Sequence, residues 1–417
     1  MSKEKVILVH LNILDSELKV ENKIKELEEL VRASEGQVVG IILQNASSIN
    51  PSYYIGSGKV KEVRDYADSL EADTIVFNNE LTGSQMKNLE DSIDRKIIDR
   101  TGLILDIFAR RAKTKEGKLQ VELAQLEYRL PRLTGFRNYL SKEGAGIGTR
   151  GPGEQKLEVD RRTIQKEILR IKKHLANSYE KRMLKSKKRR NSPIPIVSLI
   201  GYSNAGKSTI LNKIVDMFSD QEKKVYADDM LFATLDVSAR NITLPNDKKL
   251  IITDTVGFVS DLPTKLVESF KGTLEEIEIS DLLIIVVDTS NIDYMLQIDA
   301  TKKILKDMNL GDKKILYCFN KIDKNPSFAF LPRNFDSIYI SAKDDKDIKR
   351  LVDKITDLVF EDYDYYNIEV SYDMIDSFMK EEIKVYNTSY TDQGLRGKIF
   401  INKNQKKEYK RYLSKES

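Results

Sequence analysis

The sequence predicts an α/β protein built on a mostly parallel sheet with helices on both faces. A smaller α/β domain precedes this sheet and a small α+β domain follows it. Short apolar runs rich in β-branched residues alternate with helical spacing over residues 1–105 and again over 191–360, which is typical of parallel sheets. Between them, residues 106–190 carry two seams of Leu and Ile at steps of three and four, the spacing that pairs helices.

The first domain, residues 1–105, has four strand signals separated by helix signals. Apolar runs predict strands at residues 6–11, 38–43, 74–77 and 96–98, and helical spacing predicts helices at 18–31, 59–70 and 83–93. Residues 54–59 (YIGSGK) are similar to a phosphate-binding loop but lack its spacing. They therefore predict a turn into a helix, with a direct ligand role as the alternative.

Residues 106–190 are predicted to form an antiparallel helical hairpin. Residues 141–154 hold five glycines and a proline within ten positions, which cannot continue a helix. This segment is therefore expected to be a glycine-rich loop at the hairpin tip. The two seams that would pack together are Leu119, Leu123, Leu126, Leu130 and Leu133 on one arm and Ile164, Ile168, Ile171 and Leu175 on the other.

The hairpin is strongly basic. Residues 110–190 carry 24 Lys and Arg against 9 Asp and Glu, a net charge of +15, whereas the whole chain carries +4. This asymmetry, with exposed glycine backbone at the tip, favours structured RNA as the partner over a merely solvated charged helix. Residues 185–195 (KSKKRRNSPIP) are expected to be a linker into the next domain. The candidate RNA-binding residues are Lys142, Arg150, Gly151, Lys187, Lys188, Arg189 and Arg190.

Residues 201–209 (GYSNAGKST) fit G-x-x-x-x-G-K-[ST], the phosphate-binding loop. The motif follows the apolar run 194–200 and precedes a helix signal at 210–215, so backbone N–H groups and a helix N-terminus would face a triphosphate. Lys207 is expected to reach the β- and γ-phosphates, and Ser208 to bind Mg²⁺. The nucleotide-binding residues predicted in this loop are Gly201, Tyr202, Ser203, Asn204, Ala205, Gly206, Lys207, Ser208 and Thr209.

A D-x-x-G motif follows the strand signal at residues 250–254. Asp254 would hold Mg²⁺ through water, and the Gly257 N–H would sense the γ-phosphate. The next residue is Phe258, where Ras-like GTPases carry the glutamine that orients the attacking water. Intrinsic hydrolysis should therefore be slow. Asn204 is a candidate K⁺ ligand, a feature of some GTPases without that glutamine, or a residue that only shapes the loop.

Two later motifs indicate which nucleotide base is bound. Asn320-Lys321-Ile322-Asp323 fits N-K-x-D after the strand signal 315–319. The Asp323 carboxylate would accept hydrogen bonds from two guanine nitrogens, a pair that adenine lacks. Ser341, Ala342 and Lys343 follow a last strand signal at 338–340, where a backbone N–H would meet the guanine oxygen. This ordered set predicts a P-loop GTPase domain over residues 191–360.

Residues 361–417 are predicted to form a small end domain without a catalytic pattern. Strand, helix, strand and strand signals at 366–370, 375–379, 382–390 and 395–401 include a hairpin turn at 392–394, and a last helix is predicted over 402–412. The single cysteine, Cys318, lies in an apolar run and is expected to be buried. The absence of a leader or a long apolar run predicts a cytoplasmic protein without membrane insertion.

Taken together, the chain resembles the HflX family of bacterial GTPases. The resemblance covers nearly the whole chain. Its motifs are residues 54–59 (YIGSGK), 100–108 (RTGLILDIF), 119–126 (LQVELAQL), 144–154 (GAGIGTRGPGE), 201–209, 231–236 (LFATLD) and 254–258 (DTVGF).

The family implies GTP hydrolysis, binding to the large ribosomal subunit with the hairpin tip near the peptidyl-transferase region, and dissociation of stalled or idle ribosomes under stress. It also selects Thr234 as the switch threonine that closes on Mg²⁺ and the γ-phosphate, so that Lys207, Thr234 and Gly257 are the candidate catalytic residues. The free protein is expected to be a monomer whose hydrolysis is stimulated by the ribosome and drives release. The alternatives are a GTP-dependent subunit-assembly factor and an ATP-using RNA remodeller.

Overall fold

A computed structural model gives the fold of two compact units, one ending at Ser178 and the other beginning at Tyr179. The domain boundaries expected at residues 105, 190 and 360 stay predictions. The structure describes residues 3–135, 152–190, 194–218, 238–244, 248–255, 257, 277–325, 336–379, 383–403 and 405–414.

The first unit begins with a four-stranded parallel sheet in the order β2-β1-β3-β4. The four predicted strands and three predicted helices are confirmed. A fourth helix, Arg100–Arg111, was not predicted, although Leu103, Ile104, Ile107 and Phe108 are buried at helical spacing. The strands are β1 Lys5–Asn12, β2 Gln37–Asn45, β3 Thr74–Phe77 and β4 Lys96–Asp99, and the helices are α1 Glu17–Ala33, α2 Ser57–Leu70, α3 Gly83–Ile93 and α4 Arg100–Arg111.

The predicted helical hairpin is confirmed by its core. Helices α5 (Lys115–Gly135) and α6 (Pro152–Arg190) bring residues of both predicted seams into one apolar cluster. A salt bridge of 2.8 Å between Lys172 Nζ and Glu127 Oε1 also joins the two arms. The members of the cluster are Leu123, Ile168 and Ile171, flanked by Leu119, Leu126, Leu130, Ile164 and Leu175.

The prediction of a linker from residue 185 is wrong for residues 185–190. Helix α6 continues to Arg190, because Lys, Arg and Ser do not interrupt a helix as the later prolines do. Lys142, Arg150 and Gly151 at the predicted tip lie outside the described residues. No helix in the described part of the chain is long and apolar enough to cross a membrane.

The second unit contains a six-stranded sheet in the order β10-β9-β8-β5-β7-β6. All neighbours are parallel except β6, a strand not predicted from the sequence, which runs antiparallel to β7. Helices α7 (Lys207–Phe218), α8 (Tyr294–Asp307) and α9 (Asp345–Val359) accompany this sheet. The strands are β5 Ile196–Gly201, β6 Ser238–Thr243, β7 Lys249–Asp254, β8 Leu282–Asp288, β9 Ile315–Asn320 and β10 Ser337–Tyr339.

The described part of the chain ends in a three-stranded antiparallel sheet, in the order β11-β13-β12, with short helices before β12 and after β13. The predicted strand–helix–strand–strand sequence is confirmed, but the single helix expected over residues 402–412 is not. Helix α11 (Gln405–Glu408) gives way to a 3₁₀ turn, Tyr409–Tyr412, which places both tyrosines in the core three residues apart. The other elements are β11 Tyr363–Ser371, α10 Ile375–Met379, β12 Val385–Thr391 and β13 Gly394–Asn402.

Candidate functional site

The polar motifs of the second unit meet where four parallel strands end. Gly201, Asp254, Asp288 and Asn320 are the last residues of β5, β7, β8 and β9. Strand β5 lies between β7 and β8, so the loop that follows it is flanked by acidic strand ends on both sides. Open α/β sheets bind their ligands at this edge.

The backbone of the glycine loop needs residues that tolerate a positive φ at positions 204 and 206. Gly206 has φ +98°, and a Cβ there would lie 2.3 Å from Nδ2 of Asn320. Asn204, at φ +62°, also adopts the left-handed conformation, which Asn tolerates better than most residues. The loop is therefore closed tightly over the end of β9.

Lys207 lies at the centre of this loop. Its buried ammonium donates hydrogen bonds to the carbonyls of Gly201 (3.0 Å) and Tyr202 (2.7 Å). Burial lowers the pKa of Lys207 to about 8, and the nearby Asp254 carboxylate opposes that shift. Gly257 of D-x-x-G lies close to the same ammonium, since a Cβ on it would lie 3.0 Å from Lys207 Nζ.

Ser208 and Asp254 form an oxygen-rich pair beside Lys207. The Ser208 hydroxyl donates to Oδ2 of the fully buried Asp254 at 2.6 Å. Hydroxyl and carboxylate oxygens are hard ligands that fit Mg²⁺, which is usually bound by one or two protein groups together with phosphate and water. Among the residues that the structure describes, no cluster of three or more His, Cys, Asp or Glu side chains could hold a metal by itself.

Asn320 connects the glycine loop to the last of the predicted motifs. Its side chain is buried, donates to the carbonyl of Ala205 and accepts from the N–H of Ala342, both at 2.9 Å. Its neighbour Lys321 donates to the Asn204 carbonyl at 2.7 Å. Two residues of N-K-x-D therefore hold the loop in place across more than a hundred positions of sequence.

Asp323 is presented as a charged carboxylate. Oδ1 accepts from the Ser341 hydroxyl at 2.9 Å, and Lys343 Nζ lies 3.4 Å from Oδ2. Desolvation raises the pKa of Asp323, but these two donors outweigh it and hold the pKa below its ordinary value. The backbone N–H of Ser341 is fixed by Asp347 Oδ2 at 2.8 Å. This carboxylate can accept paired N–H donors from a ring system.

Two acids of this site were not predicted. Asp288 forms a salt bridge with Lys321 (2.8 Å), and Asp347 positions Ser341. Asp288 could have been found, because an acid that ends a fully apolar strand marks the same sheet edge as Asp254. Asp347 carries no such signal, since it is one of several acids in the first turn of α9.

The structure brings most of the predicted site residues together but leaves others untested. Those of the glycine loop, D-x-x-G, N-K-x-D and Ser341–Lys343 share the sheet edge described above. Thr209 is exposed on α7. Thr234 and Phe258 lie outside the described residues, and so do the side chains of Lys187, Lys188, Arg189 and Arg190.

A phosphate-binding loop, D-x-x-G, N-K-x-D and a following S-A-K at one edge of a parallel sheet define the class of P-loop GTPases. Family models agree along the chain. They match a GTP-binding GTPase N-terminal region over residues 21–109, a GTP-binding GTPase middle region over 111–189 and a 50S ribosome-binding GTPase over 196–321.

Comparison with curated proteins specifies the family. The chain is 43% identical to the GTPase HflX of Caldanaerobacter subterraneus, over 94% of this chain and 90% of that protein. It is 38% identical to the GTPase HflX of Escherichia coli K12, over 78% of this chain and 74% of that protein. The chain belongs to the HflX family of GTPases.

Among solved structures, a GTP-binding protein from Sulfolobus solfataricus in complex with GDP is similar at 24% identity. That match covers 86% of this chain and 99% of the other, with a TM-score of 0.45.

Proposed function

We propose that this GTPase binds guanine nucleotides at the sheet edge between Lys207 and Asp323 and hydrolyses GTP slowly by itself. The observation that carries the proposal is the pair of hydrogen bonds made by the Asn320 side chain, which we call the Asn320 junction. It fixes the phosphate loop and the Ala342 N–H relative to each other. The two ends of a nucleotide would then be bound by one rigid frame. Asp323 would accept from the guanine ring, next to the segment Ser341–Lys343.

At the phosphate end, Lys207 would replace its hydrogen bonds to the two loop carbonyls by bonds to the β- and γ-phosphates. Ser208 and Asp254 would hold Mg²⁺, which supplies charge neutralisation at the phosphates when bound. The Gly257 N–H, next to Lys207, would contact the γ-phosphate. Thr234 would close over the same phosphate. Loss of the γ-phosphate after hydrolysis would then release the loop that carries Thr234.

Slow unaided hydrolysis follows from Phe258, which cannot orient water as glutamine does. We propose K⁺ as a further cofactor, with Asn204 as its ligand. The Asn204 carbonyl is held by Lys321, while its side chain makes no hydrogen bond to the described residues. Replacing K⁺ by Na⁺ should slow hydrolysis in the natural protein and leave an Asn204→Ala variant unchanged; equal rates in both salts would exclude this role.

We further propose that the protein acts as a cytoplasmic monomer that binds the large ribosomal subunit through the hairpin and dissociates stalled or idle ribosomes. The family model for residues 196–321, described as a 50S ribosome-binding GTPase, supports the partner. The basic hairpin supports the contact with RNA. Arg161, Lys166 and Lys173 on α6 are exposed and form no ion pair within the described chain, so they are available to phosphates.

The test is sedimentation of intact ribosomes with the full chain and GTP, or a non-hydrolysable analogue. Free subunits are expected with both nucleotides, and faster GTP hydrolysis is expected with large subunits than without. The control is Asp323→Asn, which should fail with GTP but act with xanthosine triphosphate, because an amide donates where the carboxylate accepts.

Intact ribosomes at saturating protein would contradict the splitting role. Tighter binding to precursor subunits than to mature ones, without splitting, would instead favour an assembly factor. ATP-dependent remodelling without a guanine requirement would contradict the nucleotide assignment as well.

A further inference from the structure

The end sheet has one face that its own core does not use. Residues of one parity point inward and pack with α10 and the final turn. Residues of the other parity, on what we call the outer face, include Tyr365, Asn367, Tyr386, Lys398 and Phe400. The inward set is Ile368, Val370, Leu395, Ile399 and Ile401.

The strand register brings the outer-face residues into one cluster. Tyr365 lies opposite Phe400 on the neighbouring strand, and Lys398 lies opposite both Asn367 and Tyr386. The ring centroids of Tyr365 and Phe400 are 4.8 Å apart, and those of Tyr365 and Tyr386 are 5.5 Å apart at an interplanar angle of 86°. Each of the three strands therefore contributes one ring to a continuous surface.

The rings are fixed from one side. Phe400 contacts Phe360, at a centroid distance of 5.6 Å, and packs against the core of the GTPase sheet. Tyr365 is therefore held by Phe400 and Tyr386 while 46% of it is exposed. A ring that is both fixed and exposed loses little conformational entropy when another flat group stacks on it.

The polar groups beside the rings are unused. Asn367 and Lys398 are exposed, and their side chains make no hydrogen bond or ion pair to any residue that the structure describes. The next outer-face pair differs, because Arg396 and Glu369 neutralise each other at 2.7 Å. The cluster thus carries a free cation and a free amide next to an exposed ring.

Lys384 lies beside this face. Its ammonium lies 5.2 Å from the centroid of the Tyr386 ring. Glu369 is the one acid in the described outer-face positions, and it is paired. The surface is therefore positive and aromatic rather than broadly apolar, which fits a polyanion with flat bases better than an apolar protein segment.

We propose that the outer face binds unpaired nucleotides of an RNA. A base would stack on Tyr365, Lys398 would contact a phosphate, and the Asn367 amide would face a base edge. The proposal does not rest on the nucleotide site or on the basic hairpin, because none of their residues takes part. It gives the end domain a second, separate contact with RNA.

The experiment measures anisotropy of a fluorescein-labelled, unstructured 12-nucleotide oligouridine with the full chain. Tyr365→Leu should weaken binding by about tenfold, whereas Tyr365→Phe should stay within about twofold, since stacking needs the ring and not the hydroxyl. Lys398→Gln should weaken binding and reduce its dependence on salt. Tyr390→Leu is the matched control, because Tyr390 is more exposed than Tyr365 but its register places it on the opposite face.

Binding by the hairpin is weakened by repeating the series in a chain with Lys187, Lys188, Arg189 and Arg190 all replaced by Gln. The Tyr365→Leu effect should persist in that background, and the urea unfolding of the variants should match that of the unsubstituted chain. Equal affinities for Tyr365→Leu and Tyr390→Leu, or no binding of the oligonucleotide by the natural chain, would overturn the proposal.

Discussion

Replacing Asp99 should loosen the hairpin from the first domain more than any surface change can. Asp99 ends β4 and is fully buried. Its carboxylate accepts from the backbone N–H groups of Leu81 (3.0 Å) and Gly102 (2.8 Å) in the α/β domain. It also accepts from the Tyr128 hydroxyl (2.6 Å) and Arg132 Nη2 (2.7 Å), both on the first arm of the hairpin. One side chain therefore joins the two parts.

The magnitude follows from these bonds. Each hydrogen bond to a charged group contributes about 1.5–3 kcal/mol, and removing one partner of a buried ion pair costs about 3–5 kcal/mol. Because the terms overlap, we expect about 4 kcal/mol for Asp99→Ala. The isosteric Asp99→Asn keeps one acceptor but turns a donor toward Arg132, so about 2 kcal/mol is expected. Burial and the Asp99 charge raise the pKa of Tyr128, so its hydroxyl stays protonated and donates.

Hydrogen exchange on the full chain measures this locally. Peptides from helix α5 (Lys115–Gly135) should show opening free energies lower by the amounts given above. The matched control is Asp68→Ala, which removes a 2.7 Å salt bridge to Arg95 at the surface. The Asp68 side chain is 54% exposed and the Arg95 side chain 28%. Such pairs contribute at most about 1 kcal/mol. If the opening free energies of α5 in Asp99→Ala and in the control agree within about 1 kcal/mol, the carboxylate does not hold the hairpin. Should Asp99→Ala not fold, the milder Asp99→Asn still decides the question.

Three further outcomes are expected. Gly206→Ala should weaken GTP binding at least about 100-fold, because strain at φ +98° adds to the displacement of the Asn320 side-chain amide. The control is Gly311→Ala, where a Cβ meets nothing within 4 Å, and this variant should bind GTP normally. Equal GTP affinities of the two variants would contradict the packing argument. GTP binding near pH 8 should take up a fraction of a proton, because Lys207, with a pKa of about 8, is only partly protonated before phosphate raises that pKa. Calorimetry in buffers of different ionisation enthalpy measures this uptake, and no uptake would exclude a lowered pKa. Burial lowers the pKa of His10, so the unfolded chain binds the proton more readily and stability is lost as pH falls below the unfolded pKa of about 6.5. Between pH 7 and 5, the free energy of unfolding should therefore depend less steeply on pH in His10→Gln. A similar flattening by the exposed His174→Gln would refute the role of His10.

Much of the fold could be predicted because its signals are local. The hairpin arms were found from Leu and Ile spacing, since a helix repeats its buried face every three or four residues whatever it packs against. Helix α4 was missed although its buried residues Leu103, Ile104, Ile107 and Phe108 follow the same spacing. Strand β6 was also missed. It reads SARNIT, with one apolar residue longer than Ala, and it exists because β7 offers an edge to pair with.

The site was predictable to the extent that its residues end strands. Parallel strands bring their carboxyl ends to one edge, so motifs after β5, β7 and β9 had to meet. The hydrogen bonds between them could not be predicted, because they join residues far apart in sequence. The bonds from Asn320 to Ala205 and from Lys321 to Asn204 span 115 and 117 positions.

Asn320 and Asp99 show why such junctions escape a reading of the sequence. Both are polar residues at strand ends, where an exposed side chain would have been equally compatible with the sequence. Each is buried instead, and a buried polar group is costly unless every partner is supplied. The partners come from loops and helices whose positions only the folded chain defines. Since one missing partner leaves a buried group unsatisfied, each junction permits a single arrangement of the parts that it joins. Apolar packing tolerates small shifts more readily. In this protein these two buried polar residues therefore set the geometry of the parts that they join.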